Sequence, residues 1–174
     1  MSFLINPFAF AVAGGDFESI ATVTVGSGGA TDIEFTSIPG TYQHLQIRLI
    51  MRSTTTIEPT VSFNGDTNNS NYYRHLIYGD GSSVAAGANQ LRSFSGYYEV
   101  ATNVVTACVL DILDYSSTTK NKTIRAQSGI DKNGSGYFTL YSGLWMNTGA
   151  ITSIKYSASF AEHTSIALFG VKAP

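Results

Sequence analysis

Cysteine occurs once in the 174 residues, at Cys108, so the chain can close no internal disulfide and build no multi-cysteine zinc site. Cys108 sits in the apolar run Val104-Val105-Thr106-Ala107-Cys108-Val109-Leu110, where it is expected to pack as a small buried hydrophobe. Charge is scarce as well. Only 13% of residues are charged, against roughly 25% in an ordinary domain, and the net charge is −2. No basic run exists to attract a phosphate backbone, which argues against nucleic acid as a partner. No window of a dozen residues carries apolar side chains at helical spacing, so helix is expected to be minor or absent.

The groups that catalysis or metal binding would need are equally thin. The three histidines, His44, His75 and His163, show no H-x-H or H-x-x-x-H spacing and no carboxylate at a ligand interval. Asp111 and Asp114 fall three apart in a strand-like run, which points them to opposite faces and prevents a paired acid and base. Asp114 is expected instead to open a turn with Ser116 and Ser117, accepting backbone N–H groups. Asn64-Gly65-Asp66-Thr67-Asn68-Asn69 alternates oxygen ligands as some calcium loops do, yet lacks the full pattern and its bidentate Glu. An Asx-rich turn accounts for it. The expectation is a protein with no cofactor, no metal and no enzymatic activity.

What the sequence does hold is strand after strand. His44 to Arg52 is the clearest, with Leu45, Ile47, Leu49 and Met51 on one face and His44, Gln46, Arg48 and Arg52 on the other. Further strands are predicted at Phe17–Val25, Asp32–Thr36, Thr60–Asn64, Tyr72–Tyr78, Leu91–Tyr98, Val104–Leu113, Thr123–Ser128, Tyr137–Met146, Ile151–Phe160 and Ile166–Val171. Turn chemistry separates them at Asn64-Gly65-Asp66, Gly79-Asp80-Gly81 and Asp131 to Gly136, and Gly79 to Gln90 reads as a long surface loop. About eleven short strands without helical crossovers define an all-β, antiparallel β-sandwich, jelly-roll-like. Tyr72, Tyr73, Tyr78, Tyr97, Tyr98, Tyr137 and Tyr141 fall in or beside strands, suited to half-buried positions and subunit interfaces, with a sugar-stacking surface as the other reading. Trp145 reads as core or interface.

The front end is different. Residues 1–15 are apolar, and Ala11-Val12-Ala13 has the small-residue pattern of a signal cleavage site. The positive start of a signal is missing, Asn6-Pro7 interrupts the run, and some 13 residues are too few to span a bilayer. The division predicted is an extended arm, 1–15, and a sandwich domain, 16–174. Phe3, Leu4, Ile5, Pro7, Phe8 and Phe10 of the arm are the candidate partner-binding residues. Its large apolar side chains contribute roughly 1.5–3 kcal/mol each when buried. Ordering the arm costs roughly 1–2 kcal/mol per residue, so the arm alone nearly breaks even and attachment needs the domain surface and multivalency too.

From Phe17 onward several stretches resemble virion proteins of tailed bacteriophages, especially marine and cyanobacterial ones. They are Phe17 to Ala30, Ile33 to Pro39, Tyr42 to Arg48, Asp111 to Tyr115, Ser142 to Trp145 and the ending Ala167-Leu168-Phe169-Gly170-Val171-Lys172, similar to a common "ALYGIK" terminus. The opening Leu4-Ile5-Asn6-Pro7-Phe8 also resembles starts of short phage structural reading frames. The resemblance implies a virion structural protein: a capsid decoration (cement) protein on the outer surface of the head, bound to the major capsid protein or other virion proteins. It also implies a homo-oligomer, by expectation a trimer. The alternative is a tail-fibre or receptor-binding protein whose Tyr- and Asn-rich loops, such as Thr67 to Tyr73, contact host glycans.

Overall fold

The computed structural model describes residues 16–96 and 104–173. Eleven strands account for nearly all of its regular structure: β1 (Phe17–Thr24), β2 (Ala30–Phe35), β3 (His44–Met51), β4 (Thr60–Phe63), β5 (Tyr72–Gly79), β6 (Val84–Asn89), β7 (Thr106–Leu113), β8 (Lys122–Asp131), β9 (Gly136–Trp145), β10 (Ile154–Phe160) and β11 (Ser165–Val171). One 3-10 turn at Asn69–Asn71 is the helical content of the described residues. All strand pairings are antiparallel. They form an eight-stranded sheet in the order β1-β11-β3-β7-β8-β9-β5-β6 and a three-stranded sheet in the order β2-β10-β4. The small sheet covers part of one face of the large one, which makes an unequal antiparallel β-sandwich.

The alternation seen in the sequence decides which face is dry. In β3, Leu45, Ile47, Leu49 and Met51 are buried, while Arg48 and Ile50 on the other side are exposed. Across the core, Ile33 and Phe35 of β2, Val61 and Phe63 of β4, and Ile154, Tyr156 and Phe160 of β10 pack onto Leu110, Ile112 and Ile124 of the large sheet. Phe63, Tyr72 and Trp145 form an aromatic cluster with ring centroids 5.4–6.3 Å apart.

Two predicted elements change places. The stretch Gly79 to Gln90 is not a loop throughout, because Val84–Asn89 forms β6 against β5. Ala, Gly and Ala hide its alternation, and the strand is made by pairing rather than propensity. Asp80 sets the turn before it by accepting from the backbone N–H groups of Ser82 and Ser83 at 2.9 and 2.7 Å. Conversely, the predicted strand Leu91–Tyr98 is irregular over 91–96, and its last two residues lie outside the described ones. Phe94 there is fully buried, its ring closing onto Gly143 of β9, and Arg92 O accepts from Val61 N at 2.7 Å. A side chain at position 143 would enter that ring. Gly143→Ala should therefore lower the unfolding free energy by about 1–3 kcal/mol in urea titrations, with Phe94→Leu recovering part of the loss.

The Asn-Gly pairs behave as their chemistry requires. Asn64 and Gly65 take φ of 51° and 73°, and Asp66 N donates to Phe63 O at 2.9 Å. Asn133 and Gly134 take 59° and 104° at the tip of the β8–β9 hairpin. At the β8–β9 hairpin, left-handed residues at both central positions match the twist of the strands they join, whereas Asn64-Gly65 turns the chain out of β4 toward the other sheet.

Candidate protein interaction surface

The side of the eight-stranded sheet that faces away from the small sheet is wet yet strongly apolar. Register fixes its composition row by row. One row crosses the sheet as Ile50, Ala107, Gly129, Phe138, Gly79 and Val84. The next runs Arg48, Val109, Gln127, Leu140, Ile77 and Ala86. In these two rows Ile50, Val109, Ile77, Phe138, Leu140 and Val84 are between 42% and 73% exposed, far more large apolar surface in one place than scattered surface hydrophobes give. Two open concavities lie over them. One of about 710 Å³ is lined by Ile77, Val109, Leu140 and Tyr141, and one of about 620 Å³ by Ile50, Ala107, Val109 and Phe138.

The third row, Gln46, Asp111, Arg125, Ser142 and His75, is polar and largely satisfied from within. Arg125 Nη2 donates to Asp111 Oδ2 at 3.0 Å, and Gln46 Nε2 donates to Asp111 Oδ1 at 2.9 Å. Arg48 Nε donates to Gln46 Oε1 at 2.9 Å, and its guanidinium lies over the rings of Phe169 and Phe17 at 4.7 and 5.6 Å. One ion pair, Arg125–Asp111, and one cation spread over aromatic rings, Arg48, are the charges of these rows, too few to build a strong field of one sign.

The candidate chemical groups do not assemble. Among the described residues no three of His, Cys, Asp and Glu come together. His44 Nδ1 accepts from Asp114 N at 3.0 Å and lies 3.7 Å from the Asp114 carboxylate, so it belongs to the turn after β7. His75 lies on the outer face with its ring 5.3 Å from Tyr73, and His163 occupies a left-handed turn position before β11. Asp111 and Asp114 face different surroundings. The Asp114 turn is closed by its backbone, with Ser117 N donating to Asp114 O at 3.0 Å, while its side chain takes Lys120 Nζ at 2.8 Å rather than backbone N–H groups. That lysine hydrogen bond holds the Asp114 carboxyl below its usual range.

The loop with calcium-like spacing is a structural hub. Burial pushes the Asp66 carboxyl up, but donation from Trp145 Nε1 at 2.8 Å, Asn71 Nδ2 at 2.9 Å and Asn68 N at 3.0 Å outweighs it and holds the group below its usual value. Tyr72 OH adds a bond to Asp66 O at 2.9 Å. Trp145 is thus core. The Asn side chains proposed for glycan contact are partly committed here: Asn68 Oδ1 caps the 3-10 turn through Ser70 N, and Asn71 holds Asp66. Tyr72 and Tyr141 are buried, Tyr73 is exposed, and Tyr97 and Tyr98 lie outside the described residues. Cys108 is buried, and burial pushes its thiol up to about 12.

The arm residues Phe3, Leu4, Ile5, Pro7, Phe8 and Phe10 also lie outside the described residues. Sequence reasoning missed the outer face, although Ile50 and Val109, apolar residues at wet positions of alternating strands, were the visible signal. It missed two buried cations as well. Arg74 donates to Glu58 at 2.9 Å, to Ser93 O at 2.8 Å and to Asn89 Oδ1 at 2.8 Å, and Lys122 is fully enclosed.

Fold and surface together define a β-sandwich that presents a sparsely charged, apolar sheet face. No family model matches the chain, and no curated protein matches it. Among solved structures, a protein of unknown function from Shewanella oneidensis MR-1 is similar over 92% of this chain and 77% of its own, at 10% identity and a TM-score of 0.21. A likeness that loose carries no argument about fold or function.

Proposed function

We propose that the chain is a structural component of a tailed-phage virion, a decoration protein that clamps the outer surface of the head by surface contact. The observation that supports this reading is the broad outer face: an extensive, sparsely charged apolar surface suits a scaffold that is covered by protein. The phage-like stretches add to it. They fall on β1, β2, β3, the end of β7, the end of β9 and β11. Several meet where the Tyr42 ring lies on Gly170, and where Tyr115 OH accepts from Tyr42 N and donates to Pro39 O. They belong to the frame of the sandwich, so they speak to the kind of protein and leave its place on the particle to experiment.

The apolar arm supplies the rest of the grip, with Phe3, Leu4, Ile5, Phe8 and Phe10 entering grooves between capsid subunits. Deleting residues 1–13 is expected to leave the circular dichroism and melting of the domain intact while abolishing binding to undecorated heads. A truncated chain that no longer folds would place the arm in the core and overturn its role. In a reconstruction of the virion, many copies distributed over the head support decoration. A few copies confined to the tail make the protein a fibre component.

A further inference from the structure

We infer that the outer face of the eight-stranded sheet is a self-association surface, and that it mates with the same face of a second copy of this chain. This inference rests on the same face that supports the proposed function and names its occupant as a second copy, which leaves the hold on the head to the arm; a chain that self-associates but binds no heads would fail the virion reading alone.

Three observations choose this occupant. The first is size. Six strands, from β3 across to β6, span roughly 24 Å at about 4.8 Å per interval, and eight residues extend about 27 Å along the strand. The resulting area, on the order of 650 Å² before side-chain relief, approaches the roughly 800 Å² per partner of a stable interface. The second is chemistry. Ile50, Val109, Ile77, Phe138, Leu140 and Val84 supply an apolar centre, and the concavities beside Val109 give those side chains somewhere to go. The third is charge. A face that meets its own image sets like charge near like charge, which is tolerable only when its ions are already paired or kept apart. Asp111 is paired with Arg125, and the cation left without a carboxylate, Arg48, stands at the β3 end of its row over the Phe169 and Phe17 rings, so a two-fold axis through the apolar centre keeps the two copies' Arg48 apart. A partner of one charge sign would select a face with an open field of the other sign. Two sheets meeting this way would pack about 10 Å apart, as the inner faces of a sandwich do.

The test is the mass of the full chain in solution, by sedimentation velocity over a concentration series. The wild-type chain should sediment as an even-numbered assembly of the 18.6 kDa chain. Leu140→Arg and Ile77→Arg, both at exposed positions, should melt like the wild type when dilute and weaken self-association on the order of 100-fold. A wild-type chain that stays monomeric at high concentration overturns the inference. So does an odd-numbered assembly, or any assembly that the two arginine variants leave intact. Loss of assembly only on deleting residues 1–13 would assign the contact to the arm and overturn it equally.

Discussion

Above pH 10 the domain is expected to unfold in one cooperative step that is complete by about pH 12. Four tyrosines and the only thiol drive it. Burial raises Tyr72 to about 12, raises Tyr115 and Tyr141, and raises Tyr156 well above its ordinary value, while Cys108 goes to about 12. Each group keeps its proton more tightly in the folded chain than in the unfolded one. The stability it contributes is complete below the unfolded value, 10.0 for tyrosine and 9.0 for cysteine, and drains away as pH climbs toward the folded value. One proton is worth about 1.4 kcal/mol per pH unit, so five groups together approach 7 kcal/mol per unit at most, while all of them lie between their unfolded and folded values. Against a domain stability of about 5–15 kcal/mol, one to two pH units suffice. Lys122 works in the other direction. Its pKa is lowered by burial, so stability rises with pH between its folded value and 10.5, but one such group does not offset five.

The measurement follows sheet circular dichroism and tyrosinate absorbance together. The buried tyrosines should ionise together with loss of the sheet, so the two signals should change over the same pH interval. Tyr156→Phe removes one of the five groups and should move the midpoint to higher pH. A chain whose sheet survives intact at pH 12 would show that these hydroxyls are not held as described.

What could be read in advance follows from which forces leave a local trace. Alternation in His44–Met51 reports burial directly, because one residue of every two enters the core. Asn64-Gly65 and Asn133-Gly134 report turns because few other pairs tolerate two left-handed residues. β6 left no such trace. Its Ala and Gly side chains carry no burial pattern, and only the neighbouring β5 makes it a strand. Leu91 to Gly96 misled for the opposite reason, since Phe94 is apolar but fills the space over Gly143 from an irregular backbone. The sheet's outer face left only isolated local marks, Ile50 and Val109 at wet positions of their strands. Ile50, Val109, Leu140 and Ile77 lie on four strands, and only the register brings them together.

The largest single-residue effect is expected at Lys122, whose cation is fully buried and yet meets carbonyls rather than a carboxylate. Its Nζ donates to Ser117 O at 2.8 Å, Lys120 O at 2.7 Å and Thr148 O at 3.0 Å. An ammonium has three donors, and all three are used. They tie the β7–β8 turn to the segment after β9, two pieces of chain that no strand pairing joins. In Lys122→Met the stem still fills its place beside Trp145, but three carbonyls lose the ammonium on which they converge. Charged hydrogen bonds contribute roughly 1.5–3 kcal/mol each, and relief from desolvating the ammonium returns part of that. A net loss of about 3–5 kcal/mol in urea unfolding, with an unchanged slope, is the expected outcome. Lys122→Arg should recover only a fraction, because a planar fork cannot converge on three carbonyls arranged around a point charge. Self-association at the outer face should persist in both variants while they remain folded, because the lysine lies on the opposite side of the sheet. A Lys122→Met chain as stable as the wild type would mean that the two loops hold their places without the cation.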